Sequence, residues 1–517
     1  MENAKRSPGK PAIVTEDEII SYEECVERTR KLSGALAEIG ISEGERIGLM
    51  LNNSVEFVLV LLAAADLGTA VVPLNNTIGV KDLVTAIDTS DINYIIGQHA
   101  VLERAFEHFQ HEQKEFPVPH ACCVTVGGTV NGCHNFLELM ESASSDYELG
   151  AQDVDDELDY ILTVTSGSTS DPKPIVFTQG TKIRRCFSAQ ESYDLTDQDI
   201  ILVATPLYHS ISQRLILTPL ILGATCVIMG KFTPDIWLEQ VERRKVSFTI
   251  AVASQLEAIS WTRKDVAKST HSLRCLVSCC ALLNSKTKKY LATKFSGEFH
   301  ECYGTSEVGV VSNLKNNDLL AKIHTAGKAV KGVDIEIVDD NSNVVPSGVI
   351  GEITCKSHMR FSRYYKNKQA TQDSLLGGYF FTGDMGYLDA EGYLIFSGRK
   401  KDVIITGGAN VYPIDIEAII IEHPEVKECA VIGVPDKQFG EAVLALVINE
   451  EGAALTVRDL QRYCMHKLAD VQQPLAYLFV DDFPRTALGK VIKRSLTEQY
   501  TDFDATENLR SILNNRR

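Results

Sequence analysis

The sequence predicts an α/β protein: a large N-terminal region of two α/β subdomains and a small β-rich subdomain, followed by a small α+β domain at the C-terminus. Three observations carry this expectation. The chain has 517 residues, too many for one core at about 100 to 200 residues per domain. Strand-like and helix-like apolar runs alternate in two separate stretches, as parallel sheets with crossover helices require. Between residues 325 and 400 the texture changes to short strand-like runs set off by glycine turns.

Taken in order, Ser21 followed by Glu24 is a capping box, Cys25, Leu32, Leu36 and Ile39 recur at near-helical spacing, and Gly40 supplies a stop. A helix over residues 22–39 is expected. The runs RIGLML, VEFVLVLLAAADLG and AVVPLN then read as strand, helix and strand. YILTV and PIVFT read as two strands flanking a loop rich in Ser, Thr and Gly. The alternation returns between residues 200 and 300 in DIILVATPL, DIWLEQVERRKV, FTIAVAS and SLRCLVSCCA. Next come the short strands of VDIEIVDD, GEITCK and GYLIFSG. After GRKKD the remaining mixed α/β sequence is long enough for a separate domain.

Composition narrows the function. The formal net charge of −18, with no basic patch, argues against a nucleic-acid groove or an anionic membrane surface. The N-terminus lacks a signal-peptide core, and the most apolar run meets Asp66 too early to span a bilayer. A cytoplasmic protein without a membrane span is expected. The 13 cysteines follow no zinc-site or thioredoxin-type spacing and read as buried thiols in a reducing compartment.

The loop TSGSTSDPK (165–173) crowds hydroxyls and backbone donors beside Lys173, which suits a phosphate. It is not a P-loop, because Pro172 and Pro174 prevent Lys173 from opening a helix. Four more stretches follow in order: ECYGTSEVG (301–309), YFFTGDMG (379–386), GRKKDVIITGGANVYPIDIE (398–417) and PRTALGKVIKR (484–494). In that order the five motifs resemble the adenylate-forming superfamily of acyl- and aryl-CoA ligases, adenylation domains and luciferases. The resemblance covers nearly the whole chain.

It implies activation of a carboxylic acid by ATP to an acyl-adenylate, then transfer of the acyl group to a thiol, with Mg²⁺ required. Thr165, Ser166, Gly167, Ser168, Thr169 and Lys173 match the hairpin that closes over the β- and γ-phosphates, although the family usually has Gly at Ser170 and Pro174. Tyr303 and Gly304 match the adenine-stacking pair. Ser306 replaces the usual Thr near the α-phosphate, and Glu307 matches the Mg²⁺ ligand, a hard carboxylate for a hard cation. Asp384 matches the ribose ligand, Arg399 the ribose and phosphate contact, and Lys490 the lysine that reaches the α-phosphate and substrate carboxylate. Lys401 matches the hinge of a mobile C-terminal domain, dividing the chain into an adenylation domain (1–400) and a C-terminal domain (401–517) that carries Lys490. Gly407, Gly408 and Ala409 match the loop lining the pantetheine tunnel.

His209 in PLYHS resembles the residue gating the acyl pocket of acyl- and aryl-CoA ligases, and the Asp of amino-acid-activating relatives is missing. Cys279, Cys280 and Cys302 stand where relatives commonly carry Gly, so a compact pocket for a small aryl or short acyl acid is expected. CoA is the expected acceptor. The alternatives are loading of the phosphopantetheine arm of an acyl-carrier protein, and a non-catalytic nucleotide-binding relative.

Overall fold

A computed structural model of the chain describes residues 1–144, 146–150, 155–164, 173–262, 265–486 and 489–507. They belong to two compact units, one of residues 1–323, 329–334 and 356–379, the other of residues 324–328, 335–355 and 380–517.

Two sheets organise the first unit. In one, Arg46–Met50, Ala70–Pro73, Tyr94–Gln98 and Cys123–Val126 run parallel, Asp159–Val164 joins parallel to Ala70–Pro73, and Pro174–Thr178 turns back antiparallel. In the other, Thr225–Ile228, Ile200–Val203, Phe248–Val252, Cys275–Cys279 and Glu298–Thr305 lie side by side in that order, all parallel. Gly309–Leu314 returns antiparallel along Glu298–Thr305. The expected helix spans Tyr22–Glu38 and carries both halves of its capping box: Glu24 N–H donates to Ser21 Oγ at 3.2 Å, and Ser21 N–H donates to Glu24 Oε2 at 2.8 Å. Helix Val55–Leu67 is apolar nearly all round and correspondingly buried. Phe57, Phe177, Trp237, Phe248 and Phe299 are fully buried in this unit's core.

The second unit holds the short antiparallel strands Gly351–Ser357, Tyr379–Leu388 and Leu394–Arg399. It also holds a sheet of Ile404–Thr406, Ala409–Val411, Gly440–Asn449, Val426–Asp436 and Ala476–Phe479. The long pair in this sheet buries both faces. Val431, Val443 and Ala445 pack with Ile416, Ile420 and Leu460 on one side, while Ala430, Ile432 and Leu444 pack with Phe483 and Leu496 on the other. Among the described residues no helix is long and apolar enough to cross a membrane.

Candidate active site

In an open α/β sheet, ligands bind beyond the carboxyl ends of the parallel strands, where loops diverge to helices. In the first unit those ends carry the residues singled out for the acid pocket. Cys279 ends its strand beside Val252, Ala253 opens the next helix, and Cys302 precedes Tyr303 near the end of Glu298–Thr305. His209 follows strand Ile200–Val203 and caps helix Ser210–Leu222.

The loop bearing His209 is clamped. Asn53 Nδ2 donates to Thr205 O at 3.1 Å and Met229 O at 2.8 Å, and its Oδ1 accepts from Leu207 N–H at 2.9 Å. His209 Nε2 is buried without a partner, and burial pushes the imidazole pKa down to about 4. Cys279 is buried, Cys302 half-buried and Cys280 exposed, with the Cys279 and Cys280 sulfurs 3.3 Å apart. Burial pushes the Cys302 thiol up to about 12 and the Cys279 thiol well above its ordinary value. Both stay protonated, which excludes a thiolate nucleophile at neutral pH. Cys280 takes a left-handed φ of 71°, a conformation glycine adopts freely and cysteine does not.

Tyr303 and Gly304 lie at the end of strand Glu298–Thr305, and Ser306 and Glu307 lie in the turn that leads to Gly309–Leu314. A Cβ at Gly304 would sit 2.0 Å from Gly309 O, so only glycine permits this close return. Arg185, buried on helix Gln179–Tyr193, fixes the turn. Its Nη2 donates to Ser306 O at 2.9 Å and Glu307 O at 3.0 Å, and its Nε donates to Met359 O at 2.9 Å. Burial lowers its pKa to about 9, with the nearby Arg214 charge adding to the fall and Glu307 opposing it. Tyr364 OH donates to Glu307 Oε1 at 3.0 Å, and Phe361 N–H donates to Glu307 O at 2.6 Å. Glu307 is half-buried and forms no ion pair among the described residues. A carboxylate so placed, with one hydroxyl donor and no cation, fits a hard divalent ion. Thr305 Oγ1, next to this turn, is buried without a partner. Lys173 is exposed, its Nζ 5.9 Å from the Tyr364 ring centroid. Thr165, Ser166, Gly167, Ser168, Thr169 and Ser170 lie outside the described residues.

In the second unit Asp384 and Arg399 face each other across paired strands. Asp384 is buried, and Arg399 Nε meets its Oδ1 at 2.9 Å. A surface hollow of about 360 Å³ is lined by Gly383, Arg399, Lys400 and Lys401, which suits an anionic ligand bearing hydroxyls. Gly407 and Gly408 (φ 57° and 83°) form the two-residue turn of a hairpin between Ile404–Thr406 and Ala409–Val411. Lys490 is exposed. Its N–H donates to Thr486 Oγ1 at 3.2 Å and its carbonyl accepts from Thr486 N–H at 2.9 Å. Arg485 secures this segment through a bidentate pair with Glu428 at 2.9 and 2.5 Å.

The family model described as AMP-binding enzyme matches residues 1–365, and that of the AMP-binding enzyme C-terminal domain matches residues 415–490. The chain belongs to the AMP-binding enzyme family. It is 28% identical over 510 residues to the indoleacetate–CoA ligase of Aromatoleum aromaticum, covering 98% of each chain. It is 29% identical over 509 residues to the long-chain-fatty-acid–CoA ligase FadD13 of Mycobacterium tuberculosis, covering 97% of each. The ATP-bound crystal structure of MatB from Rhodopseudomonas palustris superposes with a TM-score of 0.86 at 26% identity, over 96% of each chain.

Four features of this AMP-binding enzyme escape the motif reading. Arg185 and Tyr364 hold Glu307, as described. Lys182 is buried, donates to Gln213 Oε1 at 2.7 Å and lies 4.3 Å over the Phe177 ring. Glu301 and Lys288 form a buried pair at 2.5 Å, and Glu301 Oε1 accepts Leu283 N–H at 3.0 Å, tying down the loop after Cys280. A sequence signal exists for helix Gln179–Tyr193: Lys182 and Arg185 share the face of Cys186, Ala189 and Tyr193, where an amphipathic helix buries apolar residues.

Proposed function

We propose that this AMP-binding enzyme activates a carboxylic acid with ATP, forming an acyl-adenylate and pyrophosphate, and then passes the acyl group to the thiol of CoA. The observation that carries this reading is the occurrence of His209, Cys279, Cys302 and the Tyr303–Glu307 segment at or after the carboxyl ends of parallel strands of one sheet. The naming of relatives as CoA ligases of indoleacetate and of long-chain fatty acids supports an acid as substrate and CoA as acceptor.

Roles follow from chemistry. Tyr303 offers its ring to adenine, and Gly304 follows it in the strand. Asp384 accepts from the ribose hydroxyls, and Arg399 holds the carboxylate oriented while facing phosphate. Ser306, Lys173 and the hydroxyls of Thr165–Thr169 donate to phosphate oxygens. Glu307 would hold Mg²⁺, which would supply charge neutralisation at those oxygens. Lys490 places an ammonium where charge grows as the acid attacks the α-phosphate. His209, neutral at pH 7, bounds the acid pocket as an uncharged wall. Residues 401–517 turn about Lys401 between the two steps, presenting Lys490 for the first and the Gly407–Ala409 hairpin to pantetheine for the second. Buried Cys279 and half-buried Cys302 take space in the pocket, which favours a small aryl or short acyl acid.

Product mass tests the reading. With acid, ATP, Mg²⁺ and CoA, the expected products are AMP, pyrophosphate and an acyl-CoA. Accumulation of acyl-adenylate that discharges only onto a phosphopantetheinylated carrier protein would overturn CoA as acceptor.

A further inference from the structure

Arg214 sits on helix Ser210–Leu222, five positions after His209. It is half-buried, its Nε is shut off from solvent and meets no acceptor, and it enters no ion pair among the described residues. An arginine is charged at any physiological pH, so a partly desolvated guanidinium without a counter-ion is costly and asks for an anion. Among the described residues none pairs with it. Lys182 donates to the neutral Gln213, and Arg185 to three backbone carbonyls. Glu307, the carboxylate felt at Arg185, is engaged by Tyr364. The Arg214 charge is felt at Lys182, Arg185 and Cys186 on the neighbouring helix and also at the Cys279 and Cys302 thiols and Tyr193, so the guanidinium lies within reach of the acid-pocket cysteines. Those thiols remain protonated and bring no negative charge of their own.

We infer that Arg214 binds a second carboxylate on the substrate, so that the acid activated here is a dicarboxylic acid whose far end lies against this guanidinium. The inference rests on the ligase reading and names its substrate class. One carboxylate reacts at the α-phosphate, while the other accepts hydrogen bonds from Arg214, a fork suited to bidentate pairing. A monoacid of equal length leaves the guanidinium desolvated and unpaired, so the site rejects it. Rejection of a substrate that leaves buried polar groups unpaired is a stronger filter than the fit of one methylene.

The test is acid-dependent ATP–pyrophosphate exchange with matched pairs: glutarate against pentanoate, adipate against hexanoate, and terephthalate against 4-methylbenzoate. Wild type, Arg214→Met and Arg214→Lys are compared. The quantity read is the ratio of kcat/KM for diacid over monoacid within each preparation, in which partial misfolding cancels. Wild type is expected to favour the diacid in at least one pair by about tenfold or more, Arg214→Met to erase that preference, and Arg214→Lys to retain part of it. Monoacid preference in every pair, or an Arg214→Met loss equal for both members, overturns the inference; the second result assigns Arg214 to a phosphate instead. Exchange with no acid in the panel overturns the ligase reading itself, and the inference with it.

Discussion

His209 is held neutral by burial, with its pKa pushed down to about 4, against about 6.5 in an unfolded chain. Between those values the unfolded chain binds a proton that the native state refuses. Stability from this residue therefore falls as pH drops from about 6.5 towards 4 and levels off below it. The difference in unfolding free energy between His209→Phe and wild type should shift by about 2 to 3 kcal/mol across that window in favour of the variant. Denaturant melts at a series of pH values check this, and a difference independent of pH would contradict it. Cys280, at φ 71°, predicts that Cys280→Gly stabilises the protein by about 0.5 kcal/mol, the relief of left-handed strain outweighing the extra freedom of an unfolded glycine. An unchanged or lowered melting temperature would count against that strain. For Glu307, the carboxylate held by Tyr364 and free of ion pairs among the described residues, Glu307→Gln should lower turnover by about 100-fold and raise the Mg²⁺ needed for half-maximal rate. The same variant should melt close to wild type. Full activity over a magnesium titration would remove Glu307 from the metal site.

Strand Glu298–Thr305 and helix Ser285–Lys294 are joined by the Lys288–Glu301 pair, buried at 2.5 Å. Lys288 Nζ also donates to Ile323 O at 3.0 Å. Removing one partner strands a charge in the interior, so Lys288→Met should cost about 3 to 5 kcal/mol. Adding Glu301→Leu should restore much of it, a double-mutant cycle that denaturant melts can read. At this scale the sequence was informative where the signal is local. The Ser21–Glu24 box, the Gly40 stop and the alternating runs announce helices and strands that the fold contains. His209, Tyr303, Glu307 and Asp384 could be singled out because each sits in a short motif. Arg185 and Tyr364 were not, because each works on a residue far away in sequence. Arg185 and Met359 meet across 174 positions, Tyr364 and Glu307 across 57, and no spacing rule reports such contacts.

For the whole molecule, the consequence is two half-reactions that separate. Lys490→Ala should abolish acyl-adenylate formation while sparing thioester formation from a supplied acyl-adenylate. Lys401→Pro should do the reverse, because a fixed φ blocks the pivot. Equal loss of both steps in both variants would contradict domain alternation. Beneath this lies the claim that the chain activates an acid at the α-phosphate of ATP, and one measurement meets it most directly: exchange of labelled pyrophosphate into ATP as a function of added carboxylic acid, in wild type and Lys490→Ala. The expected result is exchange that depends on both Mg²⁺ and the acid in wild type and vanishes in the variant. Exchange that ignores the acid, or persists without Lys490, would contradict it.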